Sequence, residues 1–217
     1  MRIERLPLDE TFAVTATPDA IERAATALRG HGFEVEIVPT GDAARALVLS
    51  RIPLGAEVHG GSSLTIDTIG LSEVLERSGD YLAIRPRLWS MDRATEGDAI
   101  RKLGAAPDVF VNSAAAVTED GALVSASASG SQLGPIASGA GHIYFVIGAQ
   151  KVVPDVATAL KRVETYVFPL EDARAQEAYG MHSALNKILI LNGERPGRIT
   201  IVLVQEAGGR HHEERLQ

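Results

Sequence analysis

The sequence predicts an α/β fold with a mainly parallel twisted sheet flanked by helices. Three observations carry this. Short runs rich in Val and Ile alternate with segments of helical periodicity along the 217 residues. One run, 143–147 (IYFVI), is continuously apolar, the mark of a strand covered on both faces, and 199–204 (ITIVLV) reads as a second buried strand. Glycines and prolines fall at the junctions between the two kinds of segment, where right-handed crossovers turn.

In chain order, Thr17 and Pro18 open a helix carrying Ile21, Ala24, Ala25 and Leu28, which Gly30 and Gly32 stop. Residues 33–38 (FEVEIV) alternate as a half-buried strand, and 42–52 are helical. A short strand over 56–59 runs into Gly60-Gly61-Ser62-Ser63 and a further helical stretch to Leu75. A strand is expected over 81–85 and an amphipathic helix over 92–103, ended by Gly104 and Pro107. Residues 108–111 read as a buried strand, and 117–125 as a hairpin around Asp120-Gly121. Pro154 opens a helix through Val163, and 181–191 is helical or extended. The expected organisation is an N-terminal segment (1–16), one domain (17–209) and a flexible tail (210–217), because no linker or composition break divides the chain.

Composition narrows the function. A formal net charge of −7 and 5% aromatic residues argue against a nucleic-acid surface, and no apolar stretch is long enough for a membrane helix. The chain has no cysteine, so it holds no disulfide, thiolate zinc site or cysteine-ligated iron–sulfur cluster. No histidine falls in a metalloprotease or deaminase spacing, and no metal site is expected. His59 reads as a core histidine, or one that supports a site from behind, rather than a ligand, and His182 and Asn186 share a face if their segment is helical. A cytoplasmic location suits this composition.

In an open α/β sheet, ligands gather at the carboxyl ends of strands, and four groups are expected there. Gly60, Gly61, Ser62 and Ser63 could present backbone N–H groups to an anion, or could simply make a tight turn. Glu119, beside Asn112 and the Asp-Gly turn, could serve as base or nucleophile. The small-residue stretch 127–141, with Ser129, Gly130, Ser131 and Gln132 foremost, could form an anion nest. Lys151, following the 143–147 strand, could neutralise a bound anion.

These stretches, with HGGSSLTIDTIGL (59–71), DVFVNSAAAVTEDGALVSASASG (108–130), HIYFVIGAQKVVPDVATALKRV (142–163) and GRITIVLVQEAGG (197–209), resemble the LUD (lactate utilization) domain family in its lactate-utilization protein C group. The chain departs from the family pattern at Gly130-Ser131-Gln132, where an Arg is common, and at Gln150-Lys151-Val152, where Asn-Lys-Ile is common. The resemblance implies a sheet of the sugar-phosphate isomerase and CoA-transferase type, and a part in oxidising L-lactate to pyruvate. It implies a small anionic ligand and iron–sulfur partner subunits that carry the clusters, with no cofactor on this chain; a homodimer is an added expectation. Two other readings stay open: a non-catalytic assembly subunit of such a complex, and a CoA-transferase or sugar-phosphate isomerase using Glu119, since Thr118-Glu119-Asp120-Gly121 is similar to a transferase motif.

Overall fold

The computed structural model describes residues 5–61 and 63–206. Ser62 and the tail 210–217, with His211 and His212, lie outside the described residues. Six strands form a parallel sheet: β1 (Glu34–Val38), β2 (Glu57–Gly60), β3 (Leu82–Ala83), β4 (Val109–Asn112), β7 (His142–Gly148) and β10 (Ile199–Val204). Their order is β1-β10-β7-β4-β2-β3. The two buried runs, in β7 and β10, pair inside the sheet, where both faces are covered.

A second sheet of four strands departs from the single-sheet expectation. The hairpin β5 (Ala116–Thr118) and β6 (Leu123–Ser127) is joined by β8 (Val152–Val153), parallel to β5, and β9 (Lys187–Leu191), antiparallel to β6. This sheet exists because alternate residues of the hairpin are apolar on both sides. Val117 and Leu123 pack toward the large sheet, while Ala116 and Val124 pack outward.

The layers follow from side-chain alternation. One face of the large sheet, with Phe110, Ile143, Phe145 and Ile201, packs on α1 (Pro18–Gly30) and the second sheet. The opposite face, with Val111, Val146 and Val202, packs on α2 (Gly41–Arg51), α3 (Leu64–Thr68) and α4 (Leu71–Arg77). The outside of the second sheet lies under α7 (Val156–Arg162) and the π-turn 163–167, through Ala159 and Val163.

Several boundaries differ from the pattern-based expectation. The strand expected over 81–85 contracts to β3 and turns at once into α5 (Ile84–Ser90), because it is an edge strand pairing only with β2. The helix expected over 92–103 is α6 (Gly97–Ala105); Asp92 instead caps a tight turn through Ala94 and Thr95. The helix from Pro154 does not stop at Val163 but continues through the π-turn into α8 (Phe168–Tyr179). Residues 182–186 are not helical, so His182 and Asn186 share no helix face. Among the described residues no helix is long and apolar enough to cross a membrane.

Candidate functional site

Parallel strands end on one rim, and β2, β4 and β7 deliver Gly60, Asn112 and Gly148 to it. Asn112 is buried, and its amide donates to Gln132 Oε1 at 2.7 Å, fastening the 128–134 loop to the end of β4. Gly61 bonds to the Val111 carbonyl through its N–H at 2.9 Å and lies against the Asn112 amide so closely that any Cβ would collide with it. A short turn after β7 (Ala149–Lys151) aims Lys151 at the same place, where Nζ donates to Ser113 Oγ at 2.8 Å. Gly61, Asn112, Ser113, Gln132 and Lys151 therefore share one rim.

The helix after the Gly-Ser turn is shorter than the sequence implies. Ser63 caps α3, a helix of five residues, without a side-chain hydrogen bond. So short a helix accumulates little dipole, and the turn's anion-holding capacity rests on its glycine backbone. Gly60 faces Glu76, whose carboxylate pairs with Arg85 at 3.1 Å.

The electrostatics of the rim centre on two cations. Lys151 is half-buried, and burial followed by the nearby Arg162 guanidinium push its ammonium down to about 7. Arg162, at the end of α7, is 2% exposed and its burial lowers it to about 10. It donates to the Ala115 carbonyl and lies over the Tyr166 ring, while its Nε is buried without a partner. Among the described residues neither cation forms an ion pair with a carboxylate. Sequence reading did not single out Arg162. The signal was its spacing three residues after the buried Ala159, which turns an arginine inward.

Glu119 is placed elsewhere. The helix α1 starts at the carboxyl rim, where the Ala16 N–H donates to the Ala149 carbonyl, and the β5–β6 hairpin tip sits at its far end, Gly121 against Ala27 and His31. Glu119 pairs with Arg23, Nε to Oε2 2.6 Å, on a helix residue about 8 Å along α1 from its first residue, and the Glu119 N–H bonds to the Val153 carbonyl at 2.9 Å. The structure does not bring Glu119 to Lys151 and the Gly61 turn.

The small-residue stretch divides in two. Ser129 accepts from the Ser131 N–H, the Gly130 N–H bonds to Ser127 Oγ, and Lys187 lies over Gly130 and donates to the Ala128 carbonyl. Gly139 and Gly141 are explained by packing, their backbones pressed on the Ala105 and Asp108 carbonyls. His59 is partly buried at the edge of the core, edge-on to Phe110; burial pushes it down to about 4, and its Nδ1 has no partner. Outside the rim, the buried Asp172 accepts from His182 Nδ1 at 3.0 Å and from the Ser183 N–H at 2.7 Å. No cluster of three metal-ligating side chains occurs among the described residues. An open depression of about 440 Å³ lies apart from these groups, between Leu6–Asp9 and Phe168–Pro169.

Comparison with known proteins gives two findings. A protein of the DUF162 family from Deinococcus radiodurans, solved as a crystal structure, superposes with a TM-score of 0.48 at 12% identity, over 91% of this chain and 99% of that one. No curated protein matches. The model of the LUD domain matches residues 21–216, from within α1 past the last strand. The chain belongs to the LUD domain family.

Proposed function

We propose that this LUD-domain chain binds a small carboxylate or phosphate at the carboxyl rim and serves in oxidising L-lactate, or a related 2-hydroxy acid, to the 2-oxo acid. The observation that supports it best is the uncompensated pair of cations, Lys151 and Arg162, beside the ends of β4 and β7. Two positive charges in a low-dielectric setting raise each other's cost, and a bound anion removes that cost. Ser113, Asn112 and Gln132 add neutral partners, and the backbones of Gly60, Gly61 and Ser63 border the same rim. Charge-assisted hydrogen bonds contribute ~1.5–3 kcal/mol each, so two or three account for micromolar binding of a small acid.

As the family resemblance implies, electrons leaving a hydroxy acid would pass to iron–sulfur partner subunits in the cytoplasm, and this chain, with no cysteine, would hold no thiolate-ligated cluster of its own. The acyl-transfer reading lacks support from geometry, because its carboxylate, Glu119, is held on Arg23 away from the rim. Titration calorimetry with L-lactate, pyruvate and inorganic phosphate tests the proposal. Lys151→Met is expected to weaken binding at least tenfold for whichever anion the parent takes. Equal affinity in both proteins overturns it.

A further inference from the structure

The rim holds a lysine and a buried arginine, neither ion-paired with a carboxylate among the described residues, and this arrangement selects more than charge. Lys151 Nζ has one hydrogen-bond partner, Ser113 Oγ, whose own proton remains available for a second acceptor. The Arg162 guanidinium spends one group on the Ala115 carbonyl and keeps Nε unsatisfied. The chain joining these two contacts, Ser113-Ala114-Ala115, carries only small side chains.

We propose that Lys151 is an imine-forming lysine, its Nζ condensing with the carbonyl of a small 2-oxo acid whose carboxylate is held by Arg162. This rests on the anion-site reading above and names the ligand class more narrowly. An amine attacks only when unprotonated, and desolvation beside a second cation is a recognised way to keep a lysine so near neutral pH. Burial and the Arg162 charge both act in that direction here. A ligand answering both residues needs a carboxylate for the guanidinium and an electrophilic carbon for the amine. A 2-oxo acid carries the two on adjacent carbons.

The step balances without an oxidant. The Nζ lone pair forms the C–N bond, and the carbonyl π pair moves to oxygen, which takes a proton with Ser113 positioned to relay it. Loss of that oxygen as water, with the second proton drawn from nitrogen, leaves the imine. Amine and ketone give imine and water. Such a lysine would give the chain a chemistry of its own toward the product class of 2-hydroxy acid oxidation.

Reductive trapping tests it. The full chain is incubated with pyruvate and sodium cyanoborohydride, and adducts are located by peptide mass spectrometry. The expected result is an adduct at Lys151 formed at least tenfold faster than at Lys102, Lys161 or Lys187. L-lactate, which has no carbonyl, should slow the labelling and form no adduct. Arg162→Met should slow it tenfold, and Lys151→Arg, which keeps the charge and the fold, should abolish it at that position. Labelling spread evenly over the four lysines, or absent while calorimetry still registers pyruvate, overturns the imine and leaves the anion site standing. Absence of binding by pyruvate, lactate and phosphate alike removes the anion site, and the imine with it.

Discussion

Lys151 has a folded-state proton affinity well below that of an unfolded lysine, a pKa of about 7 against the ordinary 10.5. The unfolded chain therefore binds the proton more tightly between those values, and stability rises with pH across that window. The penalty is complete below about pH 7 and relieved above about 10.5. Urea unfolding at pH 7 and pH 9.5 should show the parent gaining stability relative to Lys151→Met; parallel changes would contradict the assignment. Anion binding runs the other way, because a ligand that prefers the ammonium loses affinity as pH rises through 7. Calorimetry at pH 8 in buffers of different ionisation heat should register proton uptake with inorganic phosphate. Lys151 was visible in the sequence as a lysine just beyond a buried strand. Arg162 was not, since only its spacing three residues after Ala159 sets it apart from the solvated Lys161 beside it.

At the scale of elements, turn chemistry carries the hairpin. Gly121 has φ +91°, and a Cβ there would lie 2.8 Å from His31 Nδ1 and 2.9 Å from the Ala27 carbonyl carbon. Gly121→Ala should cost about 1–3 kcal/mol from the left-handed backbone and the displaced helix end together, measured by urea denaturation. At the rim, Gly61→Ala should push Asn112 off Gln132 and weaken anion binding tenfold while the fold persists; unchanged affinity would separate the turn from the site. The Asp120-Gly121 turn was legible because its residue types have few other uses. The boundaries of α5 and α6 were not, because residues 81–105 are mostly exposed and, although 92–103 is amphipathic, no residue of α6 is fully buried to fix where the helix starts.

For the whole molecule, the apolar layer between the large sheet and the α1–hairpin layer joins both sheets in one core. Phe145 lies in it fully buried, with Val117 and Leu123 of the second sheet and Ile21 of α1 in the same cluster. Phe145→Ala should cost about 3–5 kcal/mol. Unfolding should stay a single transition by circular dichroism and by tryptophan fluorescence, because the layer between the sheets belongs to both, even though each sheet also packs a cluster on its outer face. Two transitions would show the sheets to be independent units.

The sequence by itself determined the parallel sheet, its central strands and the hairpin, since each follows from residue periodicity and turn chemistry within a few positions. It also put Asn112, Gln132 and Lys151 among the candidate residues. Only the tertiary structure decided which of these meet. Lys151 reaches Ser113 across 38 positions of chain and Asn112 reaches Gln132 across 20, while Glu119, only six residues beyond Ser113, is carried away along the hairpin to Arg23. Periodicity tells a side chain which face it takes; how far along a strand it sits from its neighbours depends on where two sheets and a helix pack against one another.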